Sequence, residues 1–158
     1  MQTVMNMSNE VFSRILVAFD GSDPSTRALD VGAKLASKCG EELIILTVAP
    51  EVHVPAFQPP GVGYMSTYIE SYKEHVKEEY THALKMAENR ISPTPGLRHK
   101  EVLLEGNPAS MILEEAERRD VGLIVMGSRG LGGVSSWLLG STSHRVVNEC
   151  KRSVLIVK

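Results

Sequence analysis

The residues Gly127-Ser128-Arg129-Gly130, followed after nine positions by Gly140-Ser141-Thr142-Ser143, form a pattern suited to holding an anion. Glycines let a main chain approach a ligand closely and adopt positive φ, so that consecutive amides can converge on one group of oxygens. Gly140-Ser141-Thr142 also opens an amphipathic stretch, and the free amides and dipole of a helix N-terminus favour a phosphate. Two anion sites would then stand side by side. A plainer account is open on the same residues: the glycines serve tight turns, and Ser141 to Ser143 only cap the helix. The commoner phosphate loops do not match. The loop has no lysine and so is no Gly-x4-Gly-Lys-Ser/Thr, and the first strand–helix turn, where a dinucleotide fingerprint would stand, reads Asp20-Gly21-Ser22. Without that lysine, phosphoryl-transfer catalysis is poorly served.

Other residues with chemical potential are fewer. Asp20 is the one plausible carboxylate for positioning a water, and a plainer account has it only cap its own turn through Ser22. Arg129, His144 and Arg145 could neutralise phosphate charge, but such side chains on a loop and an early helical turn are usually solvated, so the site is drawn without them. Cys39 and Cys150 have no CxxC or Cys/His spacing and read as small apolar fillers in helices. Tyr72 and Tyr80 read as packing residues, and Trp137, the single tryptophan, as an apolar anchor that doubles as a fluorescent probe. Neither His-x-Gly-His nor Ser-Gly-Gly-x-Asp-Ser occurs, which argues against an adenylyl-transferring or sulfur-activating enzyme.

The elements that must position these residues follow from apolar periodicity. Arg14 to Phe19 and Glu42 to Val48 are branched apolar runs of the kind buried on both faces of a sheet. Between them, Asp23 as N-cap and Pro24 at the first helical position start a helix that Gly40 stops after Cys39, with Ala28, Val31, Leu35 and Ala36 as its inner stripe. Residues 49–66 hold Pro50, Pro55, Pro59, Pro60, Gly61 and Gly63 and read as a long loop, either a lid or partner contact or else a plainly mobile segment. A long helix over about 67–90 carries Ile69, Tyr72, Val76, Tyr80, Ala83, Leu84 and Ala87 on one face. Then come a strand over Arg98–Leu104, a helix opened by Asn107-Pro108 and running to Arg119, and a strand over Val121–Met126. A helix over Ser141–Cys150, with Val146 and Val147 inward, and a strand over Val154–Val157 close the chain. Alternating strands and helices imply an α/β domain with a parallel sheet and right-handed crossovers. Ligands collect at the carboxyl ends of such strands, here Asp20, Val48, Leu104 and Met126, which puts the glycine loop on the binding edge.

Composition narrows the partners. A chain of 158 residues forms one core, read here as a flexible extension over 1–13 and a domain over 14–158. The 17 basic and 19 acidic residues are interspersed, giving a net charge of -2 and no basic track for nucleic acid. No charged-then-apolar leader and no apolar run near the roughly 20 residues of a membrane span occur, so a soluble, cytoplasmic protein is expected.

The Gly-x2-Gly-x9-Gly-Ser pattern after the fourth strand, an Asp closing the first strand and a terminal Val-Leu-Ile-Val together resemble the universal stress proteins, over about Arg14 to Lys158. That resemblance implies a three-layer α/β sandwich around a five-stranded parallel sheet of order 3-2-1-4-5, Rossmann-like and akin to the adenine nucleotide alpha hydrolases. It also implies ATP, with Mg2+, as ligand, since this sequence keeps the glycine pattern of the nucleotide-binding branch. Ala18 would line the base or sugar, Asp20 would meet the ribose hydroxyls, and the Val48 backbone would meet the adenine edge. Met126 and Gly127 would flank the sugar and first phosphate, with Gly130, Gly140, Ser141 and Thr142 on the phosphates. The implied function is a nucleotide-dependent regulatory module of the stress response, acting on a protein partner that the sequence does not name. The alternative is a slow ATP hydrolase. A homodimer through the apolar strand 154–157 is implied as well, since an edge strand invites pairing.

Overall fold

Strands that run apolar on both alternations belong where both faces of a sheet are covered, and such segments, with a charged strand over residues 98–105 at one edge, assemble here into one parallel sheet of five strands. They are β1 (Arg14–Ala18), β2 (Glu42–Ala49), β3 (Arg98–Glu105), β4 (Leu123–Gly127) and β5 (Ser153–Val157), in the order β3-β2-β1-β4-β5. The computed structural model describes residues 13–51, 63–131 and 139–158, the stretch 63–67 by backbone alone. The extension before Ser13, most of the 49–66 segment and Trp137 lie outside the described residues. Among the described residues four helices complete the α/β/α layering: α1 (Asp23–Cys39), α2 (Gly63–Ile91), α3 (Pro108–Arg118) and α4 (Ser141–Glu149).

Strand parity divides the core in two. Ile15 and Val17 of β1, Leu43 and Ile45 of β2 and Val125 of β4 pack under α1 and α2 with Ala28, Leu29, Ala87 and Ile91. Leu16, Ile44, Leu46, Ile124 and Met126 face the other way, against Ala109, Ile112 and Ala116 of α3 and Val146 of α4. Each fully buried branched side chain contributes about 1.5–3 kcal/mol relative to exposure, so the central strands β1, β2 and β4 anchor the fold. α1 lies closest to the sheet at Gly32, where a Cβ would stand 2.3 Å from Val17 Cγ2. Among the described residues no helix is long and apolar enough to cross a membrane.

Several local expectations are corrected. The N-cap of α1 is Ser22, whose hydroxyl accepts from the Ser25 amide at 3.3 Å; Asp23 and Pro24 are the first two helical residues. Ser22 is the better cap because its backbone is extended, whereas Asp23 already has helical geometry. Gly40 does end the helix, in the left-handed conformation with φ 74°. α2 begins at Gly63 rather than near residue 67, since beyond Gly61 no proline interrupts it. β4 begins at Leu123, not Val121, because the Val121 and Gly122 amides donate to Ala116 and Arg14 carbonyls first. In α4 Val146 and Ser143 are buried while Val147 is 42% exposed, because a nine-residue helix turns just one narrow stripe to the sheet. Tyr72 is exposed, beyond the part of α2 that packs on the sheet, and Cys39 is exposed at the last turn of α1.

Candidate functional site

The sheet reverses its winding between β1 and β4. The chain leaves β1 into α1 on one face and leaves β4 toward α4 on the other, which opens a crevice at the carboxyl ends of these neighbouring strands. A cavity of about 560 Å3 occupies that crevice. All nine residues singled out from the sequence line it: Ala18, Asp20, Val48, Met126, Gly127, Gly130, Gly140, Ser141 and Thr142. Ala18, Leu46, Val48, Ile112 and Met126, which belong to one core cluster, give it an apolar wall, and Asp20, Arg129, the glycines and Ser141 to Ser143 give it polar groups. An apolar chamber with a few convergent polar groups is the usual form of a small-molecule site.

Asp20 bridges two loops. Its Oδ1 accepts from the Ser22 amide at 3.0 Å and the Ser22 hydroxyl at 2.6 Å, forming the turn, while Oδ2 accepts from the Leu131 amide at 3.2 Å. The carboxylate therefore both caps its turn and ties the glycine loop to the end of β1. A Cβ on Gly130 would stand 2.4 Å from Asp20 Oδ2, so this contact exists only because residue 130 has no side chain.

The motif glycines serve close approach, not positive φ. Among the described glycines, only Gly21, Gly40, Gly96 and Gly106 have positive φ. At Gly127 a Cβ would lie 2.7 Å from the Pro24 carbonyl carbon and 2.9 Å from the Ser25 nitrogen, so β4 can meet the start of α1 only with glycine there. The two halves of the loop are then stitched together. The Ser128 amide donates to Val157 O at 2.8 Å, and the Gly140 amide to Ser128 O at 2.9 Å. The buried Ser143 hydroxyl lies 3.0 Å from both the Ser128 and Gly140 carbonyls. That use of Ser143 corrects the capping account of Ser141 to Ser143. The N-cap of α4 is Gly140, with no side-chain capping bond, so the first-turn amides, which have no intrahelical partner, meet the cavity without a side-chain acceptor.

Some lining residues were not foreseen. Tyr80, expected only to pack, lines the cavity from α2; burial raises its phenol pKa, and the negative charges of Glu79 and Asp20 add to that. Arg129, set aside as solvated, lines it too. Its place between Ser128 and Gly130 was the available signal; for Tyr80 the signal was weaker, since periodicity gives a helix face but not its height along the sheet. His144 and Arg145 stay outside the lining, His144 beside Asn148 and Arg145 paired with Glu149.

The same architecture recurs in known proteins. The family model described as the Universal stress protein family matches residues 12–158. The Universal stress protein YxiE of Bacillus subtilis is 37% identical over 149 residues, covering 94% of this chain and 100% of its own length. Among solved structures, MJ0577 of Methanocaldococcus jannaschii superposes with a TM-score of 0.73 at 25% identity, over 92% of this chain and 95% of that one. A universal stress protein solved in complex with cAMP superposes with a TM-score of 0.64 at 27% identity, over 92% of this chain and 96% of its own. By a family match that spans nearly the whole chain, and by a relative of this identity, the protein belongs to the universal stress protein family.

Proposed function

We propose that the cavity binds an adenine nucleotide, ATP with Mg2+, and that the protein acts as a nucleotide-dependent regulatory module in the stress response. The observation that carries this reading is the joining, in one cavity at the reversal point, of an apolar chamber and a helix N-terminus without a side-chain cap. The chamber suits a purine: Ala18 and Met126 line it, and the Val48 backbone at the end of β2 is available to the base edge. Asp20 stands between chamber and loop, where a ribose would lie. Gly127, Gly130 and Gly140 leave the main chain bare, and the amides of Ser141 and Thr142 at the positive end of the α4 dipole suit phosphate oxygens. The relative solved with cAMP supports an adenine ligand in this fold.

Mg2+ fits as a companion of the phosphates rather than as a metal held by the protein. Among the described residues Asp20 is the only carboxylate lining the cavity, and both its oxygens already accept hydrogen bonds. The ion would keep phosphate and water ligands, as Mg2+ commonly does, and would neutralise phosphate charge. The same engagement of Asp20 favours binding over hydrolysis, which needs a group free to orient water.

Titration calorimetry with ATP and Mg2+ tests the reading directly, with Trp137 fluorescence as a second readout. Saturable heat and a fluorescence change are expected, and single-turnover hydrolysis should stay at background. Silence in both binding measurements would overturn nucleotide binding, and rapid turnover would replace the regulatory reading by the hydrolase.

A further inference from the structure

Glu88, His99 and Glu101 converge at the end of the sheet opposite the nucleotide cavity. His99 and Glu101 stand two apart on β3 and so share a face. Their partners across the ladder are Leu43 and Ile45, which places both side chains in the layer covered by α1 and α2. Over them passes the last part of α2, where Ala87 and Ile91 are buried and Glu88 is half-buried beside them. One ligand atom from each of the three residues lies within 4.8 Å of the other two.

We propose that these three side chains form a site for a divalent transition-metal ion, with Zn2+ the best fit. His99 Nε2 lies 3.1 Å from Glu101 Oε1, and the two side chains are only 25% and 33% exposed. Protein ligands on a tetrahedral zinc, at about 2.0–2.2 Å from it, stand about 3.4 Å from one another. The His99–Glu101 pair is already at that spacing, and Glu88 closes the remainder through its flexible terminal torsions. Glu101 Oε1 is closed to water and accepts no hydrogen bond, and its polar neighbour is His99 Nε2 at 3.1 Å. A buried carboxylate oxygen without a partner is costly, and a coordinated cation would supply what it lacks. One imidazole with two carboxylates selects zinc-like ions over Mg2+ and Ca2+, which prefer oxygen alone, and leaves a fourth position for water. Because β3 is an edge strand, the ion would pin that edge to the helix that covers it.

The test uses the full chain freed of metal by chelation, then dialysed against ZnCl2, with metal content measured by plasma mass spectrometry and unfolding followed by circular dichroism. One zinc per chain and a Tm that rises with zinc concentration are expected. Glu88→Gln, His99→Ala and Glu101→Gln should each weaken zinc binding by at least about tenfold while leaving ATP binding and the metal-free circular dichroism spectrum unchanged. A Co2+ complex should show d–d absorption that Glu101→Gln removes. The proposal is overturned if zinc is not retained, if the three variants bind it as the parent does, if Cys39→Ser abolishes uptake, or if Mg2+ or Ca2+ competes on equal terms. In the first of those outcomes His99 and Glu101 are simply polar neighbours on β3.

Discussion

At the scale of residues, Gly130 and Asp20 act as one device and Gly127 as another, and two alanine substitutions separate them. In Gly130→Ala the new Cβ meets the end of a side chain, Asp20 Oδ2 at 2.4 Å, so the carboxylate can rotate away at the expense of its bond from Leu131. The stability loss should be about one hydrogen bond, ~0.5–1.5 kcal/mol, but the loop loses its tie to β1. ATP affinity should therefore fall at least about tenfold, or ~1.4 kcal/mol. In Gly127→Ala the Cβ meets main chain of α1, which cannot rotate aside, and urea melts should register the ~1–3 kcal/mol of an overpacked core. Equal affinity of Gly130→Ala and parent in calorimetry would remove Gly130 and Asp20 from the binding account. The site was readable in the sequence to the extent that its residues sit at strand ends or in the loop joining β4 to α4. What could not be read was the reason for the glycines, since a close approach depends on where another element lies. Tyr80 escaped for a similar cause: its place on α2 was legible, and its height above the cavity was not.

At the scale of elements, α3 carries an acid–base cluster that the sequence concealed among ordinary helical charges. Glu115 is 3% exposed and accepts hydrogen bonds from Arg118, at 2.7 and 2.9 Å, and from Arg119. Burial alone would raise its pKa, but the hydrogen bonds and charges of Arg119 and Arg118 together outweigh it and hold the carboxyl below its ordinary value of 4.5. A folded pKa below the unfolded one means that ionised Glu115 adds stability above about pH 4.5, and that this is lost as the pH falls through the folded value. Glu115→Gln should thus cost about 2 kcal/mol at neutral pH. That is less than the ~3–5 for breaking a fully buried pair, because Arg118 remains 62% exposed. Urea melts at neutral pH and below pH 4 check this: the gap between parent and variant should narrow in acid, and a constant gap would mean that packing, not charge, is what the substitution removes. Helix starts marked by Pro were legible to within a residue, and Asn107 caps α3 as its sequence implies, accepting from Ser110 at 3.1 Å. The slip from Ser22 to Asp23 at α1 came from a local choice between adjacent good caps, which backbone geometry alone decides.

At the scale of the whole molecule, the order β3-β2-β1-β4-β5 leaves two edges of different character. β3 carries Arg98 and Lys100 exposed along its length, the charged guise that discourages strand addition. β5 reads Ser-Val-Leu-Ile-Val and, among the described residues, pairs on one side only, with β4, and Val154 to Val157 are each only half-buried. That edge is apolar, free of charge and adjacent to the cavity, because the Val157 carbonyl accepts from the Ser128 amide at the start of the glycine loop. A second copy pairing along β5 would cover the apolar edge and fix the very strand on which the loop is hung, so that dimer formation and nucleotide binding would support each other. Light scattering coupled to size exclusion should therefore give the mass of two chains. Val154→Lys, which places a charge on the half-exposed edge, should shift the mass toward one chain and weaken ATP binding without unfolding the sheet. By reciprocity of linked equilibria, ATP should in turn tighten the parent dimer. A parent protein that remains a monomer at calorimetric concentrations, with and without ATP, would sink the β5 interface; a dimer whose affinity ATP leaves unchanged would keep the interface and break only its link to the glycine loop.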